Sequence, residues 1–205
     1  MTSATETSPD WAFVVSELIQ ARQTVLPKRL VEPGPDAGQT QAILAAAAAA
    51  PDHLQLLPWR FILVPAGQRA TLAEVFARAL SERDPQATPE QLAQAREKAF
   101  RAPLLMLAVV DGARGDPEVD LNERILSAGC AVQNMLLMAT ALGFGSALTS
   151  GKALKSDTLR VCFGLGASEQ ALCFVSVGTV LSRKPARARP VVADYVNTLG
   201  SDPVS

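Results

Sequence analysis

The chain has 205 residues, 48% of them hydrophobic and 19% charged, with a formal net charge of −1 and three cysteines. That length suits a single domain with a proper core, the near-neutral charge without a long basic run argues against a nucleic-acid partner, and the high apolar content points to buried ligand or subunit contacts. Cys130, Cys162 and Cys173 stand far apart in apolar settings, which fits buried free thiols in a reducing cytoplasm better than a disulfide framework or a metal site.

Residues 1–10 are polar and lack the basic start and apolar core of a signal peptide, so they read as a disordered tail. Trp11, Val14, Val15, Leu18 and Ile19 recur at helical spacing, which predicts an amphipathic helix over 11–21. A turn-rich connection follows through Pro27, Pro33 and Pro35 to Gly38. Residues 39–50 form a second helix whose alanine run allows close backbone packing, and Pro51 ends it. Pro58 biases Leu57 toward an extended conformation before the apolar strand 61–64. The stretch between the two prolines holds the only histidine, His53, in a rigid crossing from helix to strand.

A helical excursion is expected near 68–101. Its first helix covers 71–80, and Thr88-Pro89-Glu90-Gln91 opens the next: threonine caps, proline occupies the first turn and Gln91 completes a capping box. Residues 104–110 are apolar throughout, the mark of a strand covered on both faces. A polar loop, 111–120, leads to a long helix over 122–142. Between Arg124 and Lys152 there is no charged residue, yet Gln133-Asn134 and the glycines at 143, 145 and 151 make a membrane span a poor fit. Such a helix belongs in a core or a subunit interface. A short helix over 156–163, a third strand over 172–177, a basic linker over 183–190 and a strand-like segment over 191–199 complete the domain, with 200–205 as a tail. Without regular βαβ alternation the fold class is α+β.

Most familiar chemistries fit the sequence poorly. Gly143-Phe144-Gly145 and Gly164-Leu165-Gly166 lack the third glycine and the strand-to-helix context of a dinucleotide site, and there is no P-loop. A catalytic triad would have to use His53, no G-x-S-x-G elbow exists, and one histidine with scattered carboxylates gives no metal-ligand pair. What remains is Arg22-Gln23-Thr24 at the end of the first helix, the basic run from Arg183 to Arg189, and His53. Each cationic cluster reads by itself as a solvated patch sooner than as an anion site, and His53 as a helix-end residue bonded to a carbonyl or as a ligand contact.

In order and spacing, these pieces resemble the flavin-dependent nitroreductase family, particularly its small single-domain members, over about residues 11–198. Arg22-Gln23-Thr24 matches the family's Arg-Arg-Ser-type motif, and Pro51-Asp52-His53 through Pro58-Trp59 matches its proline-to-Pro-Trp stretch. The long helix resembles its central dimer helix, Gly143-Phe144-Gly145 with Leu148-Thr149-Ser150-Gly151 resembles the segment beside the flavin ring, and Val177-Gly178-Thr179 with Arg183 is similar to its last strand and basic residue. The resemblance implies a mixed, mostly antiparallel sheet surrounded by helices, in a cytoplasmic homodimer with FMN at the interface. It implies hydride transfer from NADH or NADPH to a nitroaromatic, quinone or related small acceptor, with no side chain as acid or base. Arg22, Arg183 and Lys184 would neutralise the phosphate, Gln23 and Thr24 would bond the ribityl chain or phosphate, His53 would contact flavin, and Leu57, Leu148, Thr149, Ser150 and Gly151 would line the ring. The chain departs from the pattern at Gln23, where the family has a second arginine, at Leu57, where it has glutamine, and at Leu148-Thr149, where small members have Trp-Arg. Those losses of polar contacts motivate an alternative, a family member that stores or senses flavin without turnover.

Overall fold

Residues 10–183, 185 and 188–200 are described by the structure, a computed structural model. The expected tails therefore lie almost wholly outside the described residues, as does Lys184.

The first helix, α1 (Trp11–Ala21), has its expected bounds, with Asp10 accepting a hydrogen bond from the Phe13 amide at 3.1 Å as its N-cap. Its apolar face is not buried: Trp11, Phe13, Val15 and Ile19 are all exposed. The connection after it contains a two-residue strand, β1 (Leu30–Val31), which the proline content concealed. Helix α2 (Ala37–Ala46) starts from an Asp36–Gln39 capping box, earlier than expected, and gives way to a 3-10 turn over Ala47–Ala49 before Pro51.

Strand β2 (Trp59–Leu63) precedes α3 (Arg69–Arg83) and α4 (Pro89–Glu97), the latter opened by the Thr88–Gln91 capping box read from the sequence. Strand β3 (Leu104–Asp111) leads to α5 (Leu121–Ala141), and β4 (Gly145–Thr149) runs where only a glycine-broken connection was expected. A short helix, α6 (Asp157–Cys162), and the long β5 (Glu169–Val180) follow. The segment 191–199 holds a 3-10 turn at Val192–Asp194 and no strand, despite its β-branched residues.

The sheet is organised by β5, which pairs antiparallel with β3, β4 and β1, while β2 pairs antiparallel with β3. The expected mixed sheet is antiparallel in all its described ladders; parallel pairing is confined to one bridge, Thr24 to Ser146. Alternation along β3 and β5 divides the core in two. Met106, Ala108, Val175 and Val177 pack with Ile43 of α2 and Ala131, Val132 and Met135 of α5. Leu105, Leu107, Val109 and Phe174 pack on the opposite side with Leu72 and Val75 of α3 and Leu159 of α6. The continuous apolar run of β3 is thus covered on both faces, and a fully buried leucine such as Leu107 contributes about 1.5–3 kcal/mol. Helix α5 buries one side only. Ile125, Leu126, Gly129 and Gln133 remain exposed, so the expected all-round burial is not met within one chain.

Two local arrangements hold the margins of the sheet in place. Residues 24–30 wrap one end: the Val25 amide donates to the Ser146 carbonyl at 2.9 Å, and Leu30 packs with Val25 and Val180. Gly145 permits this approach, because a Cβ there would lie 2.5 Å from Val180 Cγ2 and 2.9 Å from Leu30 Cδ2. On the other side, the buried guanidinium of Arg69 donates to the carbonyls of Val64 (3.0 Å), Ala99 (2.8 Å), Ala102 (3.3 Å) and Pro103 (2.9 Å). It thereby fixes the turn from α4 into β3.

Candidate functional site

Two cavities adjoin at Leu26, which lines both. The first, of about 640 Å³, lies between residues 20–29 and the strip after β5, and its polar lining includes Gln23, Thr24, Arg29, Arg183 and Arg189. Arg189 helps to close it by donating from Nη2 to the Arg22 carbonyl at 2.9 Å. Both ends of the described chain thus supply cations to one concavity. Guanidinium groups with a hydroxyl and an amide form a donor set suited to a phosphate group.

The second cavity, of about 570 Å³, is walled by Leu26, Phe76, Leu80, Leu105, Leu154 and Phe174. The Phe174 ring meets Phe76 edge-on, with centroids 5.5 Å apart and planes at 87°, which makes a firm aromatic floor. Thr149, Gly151 and Ser176 also line it, and Ser176 Oγ is buried without a hydrogen-bond partner. Lys28, Arg83, Lys98, Arg101 and Lys152 also line it.

The expected site residues divide between these cavities and other places. Gln23, Thr24 and Arg183 line the cationic cavity, and Thr149 and Gly151 the apolar one. Leu148 lines neither, for a reason of register: Thr149 pairs with Phe174, whereas Leu148 pairs with Val175 and belongs to the opposite face of the sheet. Ser150 is exposed and lines neither cavity. Arg22 is half-buried and engaged through its backbone carbonyl. Arg29, Arg189 and the cations of the second cavity were not assigned from the sequence. Arg189 lay in the basic linker already noted, but nothing local marks Lys98 or Arg83, which reach the site only through tertiary packing.

His53 and Leu57 stand apart from both cavities, on an exposed turn. His53 Nδ1 faces Glu123 Oε2 at 2.8 Å, so its partner is a carboxylate at the start of α5 and not a backbone carbonyl. Leu57 is not extended as Pro58 suggested: its φ is +49°, and Leu54 and Gln55 are also left-handed at +55° and +53°. The Asp52 carboxylate compensates by accepting from the Leu57 amide at 2.6 Å, and Arg114 Nε donates to the Leu56 carbonyl at 3.0 Å. Three strained non-glycine residues in four positions are the kind of backbone that clusters at binding sites.

Other chemistries find no support. All three cysteines are free, but Cys162 is exposed and Cys130 and Cys173 are half-buried, so the expected uniform burial is not met. Partial burial pushes the Cys162 thiol up and that of Cys173 to about 11, the opposite of an activated nucleophile. Among the described residues no group of histidine, cysteine or carboxylate side chains could hold a metal ion, and no helix is long and apolar enough to cross a membrane.

The family model described as the nitroreductase family matches residues 20–179. A Haemophilus influenzae protein named "Putative NAD(P)H nitroreductase" is 34% identical over 176 residues, covering 84% of this chain and 93% of its own. Escherichia coli K12 YdjA, which carries the same description, is 36% identical over 151 residues, covering 74% and 81%. Among solved structures, a nitroreductase-like family protein from Bacillus cereus superposes with a TM-score of 0.76 at 17% identity, over 98% of this chain and 100% of the other. A Bacteroides fragilis nitroreductase with bound FMN gives 0.67 at 20% identity, over 90% and 98%. On the family match and on these relatives, the chain belongs to the nitroreductase family.

Proposed function

We propose that this chain is an FMN-dependent oxidoreductase that takes hydride from NADH or NADPH and delivers it to a nitroaromatic, quinone or related small acceptor. The observation that carries the reading is the pair of cavities meeting at Leu26, one cationic and one aromatic-floored. A mononucleotide with a charged tail and a flat ring needs that pairing. Arg183, Arg29 and Arg189 would neutralise the phosphate, with Arg22 and Lys184 assigned to the same task. Gln23 and Thr24 would bond the ribityl chain or phosphate. Leu26, Phe76, Phe174, Thr149 and Gly151 would enclose the ring, and the unpartnered Ser176 hydroxyl gives that enclosure a polar contact to offer. Bound FMN supplies the hydride chemistry, as flavins do; the protein's part is binding, orientation and electrostatics. Cations around the second cavity favour the negative charge that develops on reduction.

The homodimer belongs to this proposal. Trp11, Phe13 and Ile19 of α1, Leu126 of α5, and Val191, Tyr195 and Leu199 near the C-terminus are exposed apolar side chains, and a second copy is the natural cover. In that arrangement the strained turn with His53 and Leu57, remote from its own chain's cavities, would meet flavin bound by the partner.

Purified protein tests the reading. FMN released at close to one per chain, bleaching of the yellow colour on anaerobic addition of NADPH or NADH, and recovery on adding an acceptor are the expected results. Colour that resists both donors favours the storage or sensing alternative motivated by Gln23 and Leu57. Colourless protein that takes up no FMN overturns the proposal.

A further inference from the structure

The second cavity carries more positive charge than a flavin ring accounts for. Lys28, Arg83, Lys98, Arg101 and Lys152 come from four separate stretches of a chain whose acids outnumber its bases, 20 to 19. Among the described residues, only Arg101 of these five has an ion-pair partner, Glu97, at 3.0 Å. That carboxylate is held below its ordinary range, first by the Arg101 hydrogen bond and then by Arg101, Lys28 and Lys98 electrostatically, so it stays ionised. Arg83 and Lys152 face no described carboxylate within ion-pair distance. The cofactor phosphate does not explain the excess, because the neighbouring cavity has its own cations in Arg29, Arg183 and Arg189.

We infer that the acceptor reduced at this site is an aromatic anion, a ring carrying a carboxylate or sulfonate. Its ring packs beside the flavin ring, along Leu80 at the margin of the cavity, and its anionic group is held by Arg83 and Lys152. The inference rests on the proposed flavin reading, since it places the acceptor in the cavity that would hold the ring. Two features favour such a ligand over a neutral one. Unpaired guanidinium and ammonium groups beside an apolar floor offer charge-assisted hydrogen bonds that neutral aromatics leave unused. The buried Ser176 hydroxyl adds a polar contact inside the same enclosure. For a carboxylated quinone, NAD(P)H and one proton give NAD(P)+ and the hydroquinone: two electrons and two protons reach the ring oxygens, and the carboxylate is unchanged.

The pyrophosphate of the hydride donor is the other anion that could occupy these cations, and the test separates the two. Binding of 4-nitrobenzoate and of neutral 4-nitrobenzamide is measured by calorimetric titration, on wild type and on an Arg83→Gln/Lys152→Gln variant, with and without FMN. Wild type is expected to favour the benzoate by about tenfold or more, the factor carried by one charge-assisted hydrogen bond, and the variant to lose that preference. In steady-state turnover the kcat/KM ratio of the two acceptors should fall by the same factor. Equal binding of both compounds to wild type overturns the inference, as does a variant that raises the NADPH KM and leaves the acceptor ratio intact. Protein that takes up no FMN yet discriminates between the two compounds refutes the flavin reading and leaves the anion preference standing.

Discussion

Arg189 donates from its guanidinium to the backbone carbonyl of Arg22 at 2.9 Å, joining positions 167 apart in sequence. The bond ties the strip after β5 to the end of α1, so Arg183 and Arg29 face a common cavity. If that cavity holds the FMN phosphate, Arg183→Ala should weaken FMN binding by about ten- to a hundredfold, equivalent to about 1.5–3 kcal/mol for a lost charged hydrogen bond. Arg22→Ala, flanked by the lining residues Gln20 and Gln23, should fall in the same range. Fluorescence titration of apoprotein with FMN measures both. Wild-type affinity in Arg183→Ala would remove the phosphate from this cavity.

The turn at His53 leads to a second prediction. The Asp52 carboxylate holds the left-handed Leu57 through a 2.6 Å hydrogen bond, and Gly115, itself at φ +73°, leaves room for Leu56, whose Cδ2 would be 2.5 Å from an added Cβ. Asp52→Ala should cost about 1.5–3 kcal/mol in urea unfolding, the range for a hydrogen bond to a charged group. Leu57→Gly should partly restore the double variant, because the left-handed penalty of about 1–2 kcal/mol disappears and the exposed leucine gives up little packing. If Leu57→Gly destabilises wild type by as much as Asp52→Ala does, the strain assigned to Leu57 is not there.

How far the sequence reveals the molecule depends on how local each determinant is. Helix α1, the α4 capping box and the apolar core of β3 follow from short-range signals, spacing and caps, and were legible. The strands β1 and β4 were not, since Leu30–Val31 is too short to show alternation and β4 begins at a glycine whose use is a close approach between segments distant in sequence. Among the residues lining the two cavities, Gln23, Thr24, Arg183, Thr149 and Gly151 were expected from a resemblance of motifs. Lys28, Arg83 and Lys98 were not, because a charged residue on a helix or turn looks like any solvated one until the sheet turns it toward a cavity. Leu57 was misread because Pro58 does favour an extended neighbour, and Asp52, five residues away, overrides that preference.

The pH profile of stability should carry the mark of Glu169. Its carboxylate accepts from Arg60 Nε at 2.6 Å and Nη2 at 2.9 Å, and also from the Gly166 amide at 2.8 Å. The Arg60 hydrogen bonds, with smaller help from Gly166, depress its pKa to about 2. A depressed carboxylate pKa stabilises the folded state fully above the unfolded value of about 4.3, and that contribution disappears as pH falls toward 2. Arg60 is 45% exposed, so solvent screening keeps the pair within about 1 kcal/mol, or about 2–4 °C in Tm for a chain of this size. Glu169→Gln should melt lower than wild type by up to about that amount at pH 6, and the two should converge between about pH 4 and 2. A constant difference down to pH 2 would assign the effect to packing and not to charge.

A costly single change should be at Arg69, which makes no contact with a carboxylate and is nonetheless buried, at 6% exposure. Burial lowers its pKa, partly offset by Glu32, so the cation is kept inside at a cost that only its carbonyl acceptors offset. Arg69→Met would orphan the carbonyls of Val64, Ala99, Ala102 and Pro103. Unfolding free energy should fall by at least about 3 kcal/mol, corresponding to about 6–12 °C in Tm. Arg69→Lys should recover less than half, since a single ammonium cannot span acceptors arranged around a planar fork. Because these carbonyls fix the turn from α4 into β3, Lys98 and Arg101 would also lose their place on the second cavity. The lysine variant, if folded, should therefore bind 4-nitrobenzoate more weakly than wild type while FMN release stays at one per chain. Undiminished benzoate binding in that variant would show that the cavity's cations hold their positions without Arg69.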